Sequence, residues 1–190
     1  MRSKFLRLVA IMFITTSSSN AESIRDHARN GDVAGIVAAL DTGADVNDYD
    51  GFGSPLTDAV RKGHYFAAKL LIEHGANVNI PTRYYGDPVM IAAAHGRADL
   101  IELLLEHGAI PDSTLDGKPV LHVAVMMGCF DCVKALVEAG ADVNWEFRSG
   151  CNNPKACGCY IQSALGIATT LKYSDIATYL ERMVPLRLHG

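Results

Sequence analysis

Asp-Pro-Val-Met-Ile-Ala-Ala-Ala-His-Gly, residues 87 to 96, runs on to Leu-Ile-Glu-Leu-Leu-Leu-Glu-His-Gly-Ala, residues 100 to 109. Two short apolar runs at helical spacing are parted by one glycine and closed by a Gly-Ala pair, which reads as two brief helices joined by a tight turn. The pattern recurs along the chain. Gly-Ala pairs fall at Gly43-Ala44, Gly75-Ala76, Gly108-Ala109 and Gly140-Ala141, in steps of 32, 33 and 32 residues. Gly31, Gly63, Gly96 and Gly128 march at the same intervals. In the preceding period Leu56, Ala59 and Val60 form the first apolar face and Phe66, Ala67, Leu70 and Leu71 the second. Three units close on Asp-Val-Asn or Asn-Val-Asn, whose side chains can bond the turning backbone.

With that period and those motifs, the chain resembles the ankyrin repeat. The resemblance implies an all-α repeat solenoid of about five helix-turn-helix units, each with a β-hairpin or loop. Boundaries fall near 22–50, 51–82, 83–115, 116–147 and 160–190. No unit can bury its apolar face alone, so stability is expected to come from stacking. The first unit, from Ser23, lacks the Thr-Pro-Leu-His opening and reads as a cap; the last carries Lys172 where the inner glycine belongs. Pro119 sits one place early. Thr57, Met90 and Gly166 stand where the family's usual histidine is kept only as His122, which is expected to bond backbone at the helix start.

The period is interrupted once. Between Asn144 and Ala164 the chain takes 20 steps where earlier units take eight or nine, so an inserted loop, 145–162, extends the fourth hairpin. It holds Trp145, Phe147, Tyr160, Cys151, Cys157 and Cys159. With Cys129 and Cys132 these make five disulfide candidates gathered in one third of the chain, a usage that fits an oxidising compartment. Cys151 with Cys157 or Cys159 would close a small ring. Cys129-Phe-Asp-Cys132 opens a second helix, where a local disulfide, a buried thiol or redox exchange are the readings. The two cysteine groups lie at opposite ends of a helix, about 10 Å apart at 1.5 Å per residue, so no shared zinc site is expected.

Arg2, Lys4 and Arg7 precede the apolar run from Leu8 to Ile14, and small polar residues lead to Ala21, the order of a secretory signal peptide. Residues 1–21 are expected to be removed after Ala21, with no membrane insertion afterwards. A run of seven apolar residues is far short of the roughly 20 that span a bilayer. Removal takes three of the 17 basic residues and none of the 21 acidic ones, leaving 14 against 21. A charge of that sign disfavours nucleic acid, whose affinity rests on clustered Lys and Arg, and favours a basic protein partner.

No nucleophile elbow, metalloprotease helix, phosphate loop or dinucleotide fingerprint occurs, so the chain reads as a non-enzyme without cofactor or metal. His74 and His107 occupy equivalent places one stacking distance apart, too far to share an ion. Asp48 and Asp50 read as turn formers. The resemblance implies recognition through hairpin tips and the adjoining concave first-helix face, and here the tips carry Tyr49, Phe52, Arg83, Tyr84, Tyr85, Trp145, Phe147 and Arg148. Aromatic and Arg side chains dominate interface hot spots. The expected function is a periplasmic or secreted monomer that binds one protein, as an inhibitor, an immunity protein or a protective scaffold of an oxidative-stress enzyme. The alternative is redox or metal chemistry at the cysteines.

Overall fold

A computed structural model describes residues 22–149 and 160–184, with the side chains of 148, 149, 160 and 161 outside that description. Residues 1–21 with the expected cut after Ala21, Cys151, Cys157, Cys159 and the Arg148 side chain therefore lie outside the described residues.

Among the described residues, ten helices fall into five pairs: α1 Ile24–Asn30 and α2 Val33–Asp41, α3 Pro55–Lys62 and α4 Tyr65–Glu73, α5 Pro88–Ala94 and α6 Ala98–Glu106, α7 Val120–Met126 and α8 Phe130–Glu138, α9 Ala164–Leu171 and α10 Ser174–Met183. They are 7 to 10 residues long, too short to persist alone in water. Stacking supplies what length cannot. Each first helix packs on the first helices of the flanking units, α1 on α3, α3 on α5, α5 on α7 and α7 on α9, and the second helices form a parallel row. Pro55 to Val60 and Pro88 to Ala93 are buried throughout, because a first helix is covered by its own partner and by both neighbours. One continuous apolar core, from Ile24 to Leu180, results.

Local chemistry sets the boundaries. Ser23, Ser54, Asp87 and Ser163 cap first helices with side-chain oxygens, each worth about 1 kcal/mol against Ala. Pro55 and Pro88 sit at the first helical position, where their missing N–H costs nothing. Pro119, displaced by one, is itself the cap of α7 and offers no side-chain bond.

The inner turn shows why the glycine period exists. A Cβ on Gly31 would lie 2.7 Å from His64 Nδ1, and one on Gly63 would lie 2.6 Å from Arg97 Cζ. His64 and Arg97 cap the second helices of the following units, so these two turns are covered by the cap residues of their successors. Tyr173 covers Gly128 in the same way. Lys172 nevertheless makes the same turn, at φ 62° and ψ 32° with its N–H on Ala168 and Thr169 carbonyls. The last helix pair closes as the others do, at the cost of about 1–2 kcal/mol for a side chain in the left-handed region.

Between units run short hairpins: β1 Thr114–Leu115 with β2 Lys118–Pro119, and β3 Glu146–Ser149 with β4 Tyr160–Ser163. The second pair is the base of the insert, in antiparallel register from Glu146 opposite Ser163 to Ser149 opposite Tyr160. Asparagine links successive hairpins. Asn47 donates to the Gly75 carbonyl (3.2 Å) and accepts from the Asn77 N–H (2.8 Å); Asn79 repeats this on Gly108 (3.0 Å) and Ile110 (3.2 Å). In the next unit the equivalent residue is Asp112, which accepts from the Asp142 N–H at 2.7 Å. A carboxylate has no proton to give, so only half of the link is made there.

Candidate functional site: the hairpin tips and the first-helix cleft

The tips are built to hold side chains outward. Thr82 N–H and Oγ1 both donate to the Gly86 carbonyl, at 2.7 and 2.9 Å, and Tyr85 N–H donates to Thr82 Oγ1 at 3.0 Å. This knot, with Thr82 buried, pushes Arg83, Tyr84 and Tyr85 into solvent, the two rings 61% and 54% exposed. One unit earlier, Asp50 Oδ1 accepts from Phe52 and Gly53 N–H at 2.8 and 3.0 Å, and Arg25 pairs with the same carboxylate. The Arg25 hydrogen bond, helped by those backbone donors, holds the Asp50 carboxyl at about 2.

The two tips join into one patch. Tyr49 Oη donates to the Pro81 carbonyl at 2.9 Å, Phe52 and Tyr84 rings lie 6.1 Å apart, and the Arg83 guanidinium stands 5.7 Å over Tyr84. Trp145 and Phe147 are separated from this patch by the β1–β2 hairpin. Trp145 sits in the turn before β3 and is partly exposed, while Phe147 is half-buried, close to Gly117 and 5.8 Å beneath the Lys118 ammonium. Its ring covers the preceding loop. The sequence-predicted row is thus one contiguous group of five residues and a second, separate location.

Beside the patch, a cleft of about 280 Å³ opens on the first-helix face. It is lined by Arg61 of α3, Met90, Ile91 and Ala94 of α5, His95 just after it, Val123 of α7, and Tyr85 and Leu115 of the hairpins. Apart from Tyr85, none of these residues reads from the sequence as a binding residue. The signal was in the period: equivalent positions run Arg29, Arg61, Ala94, Met126 and Asp26, Asp58, Ile91, Val123. The first-helix surface changes from charged to apolar at α5, and the drop from Arg61 to Ala94 leaves the space.

On the charged side, Asp58 is buried at 2% exposure and is held by Arg25 (3.0 Å), Arg29 (3.2 Å) and Arg61. With Asp50 on Arg25 and Asp26 on Arg29, three carboxylates meet three guanidiniums, and the cluster ties the first two units together. Further along the hairpin edge Asp45, Asp48, Asp116, Asp142 and Glu146 are exposed, against Arg83 and Lys118.

Among the described residues, four histidines bond backbone carbonyls. His64 Nε2 bonds the Arg29 carbonyl at 3.1 Å, and His74 and His95 Nδ1 bond carbonyls one turn back at 2.9 Å. His107 ends α6. His122 departs from expectation: its backbone partner is the Gln162 carbonyl, 2.9 Å away in β4 of the next unit, not the start of its own helix. Burial pushes this ring below the ordinary histidine range, and Lys118 adds to the effect against the Gln162 carbonyl. Facing a carbonyl, Nε2 carries a proton and donates it. Cys129 and Cys132 are joined in a disulfide. Among the described residues no group of three or more His, Cys, Asp or Glu side chains is placed to hold a metal ion, and no helix is long and apolar enough to cross a membrane.

Two family profiles match this geometry: ankyrin repeats in three copies over residues 82–146, and ankyrin repeats in many copies over residues 56–105. The chain belongs to the ankyrin-repeat family. This ankyrin-repeat chain is 31% identical over 125 residues to a probable E3 ubiquitin-protein ligase of Oryza sativa subsp. japonica, covering 63% of itself and 24% of that protein. It is 34% identical over 106 residues to the nuclear factor NF-kappa-B p105 subunit of Gallus gallus, covering 53% of itself and 11% of the relative. Over 92 residues it is 34% identical to the human ankyrin repeat and SOCS box protein 2, covering 47% of itself and 14% of the relative. It spans a quarter or less of the length of these relatives. The likeness is that of a repeat array, and ankyrin repeats are protein–protein interaction modules, typically non-catalytic.

Proposed function

We propose that this ankyrin-repeat chain is an exported binder of one basic protein partner, acting as an inhibitor, an immunity protein or a protective scaffold of an oxidative-stress enzyme, and catalysing nothing itself. The observation that carries the reading is the patch of Tyr49, Phe52, Arg83, Tyr84 and Tyr85, joined through Tyr85 to the apolar cleft lined by Met90, Ile91 and Ala94. Exposed aromatics beside an apolar recess are the composition of an interface hot spot. The carboxylates along the hairpin edge support a cationic partner, whose approach they would steer at low ionic strength. The order of charged, apolar and small residues in the first 21 positions supports export, and a periplasmic or extracellular site of action follows from it.

The test uses the full chain, expressed with its leader and recovered from the exported fraction, as bait for proteins of that fraction. Its N-terminus is expected at Glu22; retention of Met1 would refute cleavage after Ala21, and absence from the exported fraction would refute export. One dominant basic partner is expected, its recovery falling with added salt. Replacing Tyr84, Tyr85 and Trp145 together by Ala is expected to lower that recovery at least about tenfold, the loss of about 1.4 kcal/mol or more. Equal recovery by wild type and variant would sink the proposed surface.

A further inference from the structure

The disulfide lies far from the hairpins, at the other end of the helices. Cys129 caps the N-terminus of α8 and is half-buried, while Cys132, three residues on, is fully buried in the core. The Cys132 N–H donates to Cys129 Sγ at 3.2 Å. Opening the bond would leave the Cys129 sulfur facing a backbone donor and the positive end of a nine-residue helix, both of which favour a thiolate; Asp131 in the same turn opposes them. Elsewhere the matching cap position is filled by His64, Arg97 or Tyr173, whose bulk presses on the glycine of the preceding unit. Here the nearest approach to a Cβ built on Gly96 is 3.9 Å, from Cys129 Cβ, so the sulfur stands in a gap in that row. Exposed Met126 and Met127 precede it. Phe130 follows it and begins the wall of a cleft of about 380 Å³, where the buried Tyr179 hydroxyl has no hydrogen-bond partner.

We propose that Cys129–Cys132 is a thiol–disulfide exchange site, with Cys129 the sulfur attacked by an incoming thiol and Cys132 the leaving and resolving one. An incoming thiolate bonds to Cys129 Sγ, the Cys129–Cys132 bond breaks, and its electron pair leaves on Cys132 Sγ, which takes a proton. A second thiol of the same reductant then gives up its proton, attacks its own sulfur in the mixed disulfide and expels Cys129 as a thiolate, which takes up that proton. The reductant, a dithiol protein or two molecules of a small thiol, is oxidised to its disulfide, and the chain gains two electrons and two protons. The apolar surface of Met126, Met127 and Phe130 is the landing ground for a protein carrying the attacking thiol. The site is independent of the tip surface.

The experiment treats the native full chain with millimolar reduced glutathione, alkylates, and locates the label by peptide mass spectrometry, which separates residues 129 and 132 from Cys151, Cys157 and Cys159. Reduction without loss of helical circular dichroism is expected. In parallel, Cys132→Ser and Cys129→Ser are offered oxidised glutathione, and the adduct at 129 in the first is expected to form at least about tenfold faster than that at 132 in the second. A bond that opens only in denaturant, or equal rates in the two variants, would overturn the proposal. Should a variant lose its helical signal, the native-chain reduction decides alone.

Discussion

Asp50 shows how a single exposed carboxylate is put to structural use. It ties the first tip to α1 through Arg25 and orders the loop that presents Phe52. Its folded value of about 2 lies below the roughly 3.9 of an unfolded aspartate. The linkage follows: the contribution is fully present above pH about 4 and is lost as pH falls toward 2. Melting temperature measured between pH 5 and 2, as rough bounds of that window, is expected to fall less steeply in Asp50→Asn than in wild type; parallel curves would show that the Arg25 pair does not govern the loop. The sequence suggested only that Asp48 and Asp50 form a turn. That Arg25, Arg29 and Arg61 converge on Asp58 was visible in part, since Arg29 and Arg61 are equivalent in the period, but the partner identity required knowing how neighbouring first helices rotate against each other.

At the scale of the element, the hairpin link is the informative unit. Asn47 and Asn79 each give and receive a bond across the unit boundary, whereas Asp112 can only receive. Asp112→Asn is expected to add the missing donor to the Gly140 carbonyl and to raise stability by about 0.5–1 kcal/mol, read from urea denaturation at constant m. No gain would mean that the fourth hairpin sits too far from the third for the asparagine geometry. The helix pairs were legible because the glycine period is dictated by packing: a side chain at Gly31 or Gly63 would collide with the residue covering it. The hairpins were less so. Their lengths vary, and the pairing of Glu146–Ser149 with Tyr160–Ser163 is formed by residues flanking an insert that obeys no repeat. The cleft is hard to read from the sequence for a related reason: the space depends on what is missing at Ala94.

Over the whole molecule, stability passes from neighbour to neighbour, and His122 is the contact on which the last unit depends most visibly. Its ring is buried, and its Nε2–H satisfies the Gln162 carbonyl beside the start of α9. Removing it in His122→Ala leaves a cavity and an unpaired carbonyl, a cost of about 2–3 kcal/mol. In a quasi-one-dimensional array that cost is local. Hydrogen exchange in residues 164–183 is expected to quicken by about one and a half to two decades while that in 55–106 is unchanged; uniform acceleration would show that the array unfolds as a single block. Binding surface and disulfide occupy opposite ends of the helices, so a change at one is not expected to disturb the other.

The rule by which the Gly31, Gly63 and Gly128 turns are sealed by the cap residues of their successors gives the array a direction of growth. Duplicating the period that carries His64 or Arg97 would recreate such a seal. Appending one after α10 would not, because the Lys172 Cβ stands where the newcomer's ring would have to rest. Lengthening this protein at that end therefore begins with a glycine at 172.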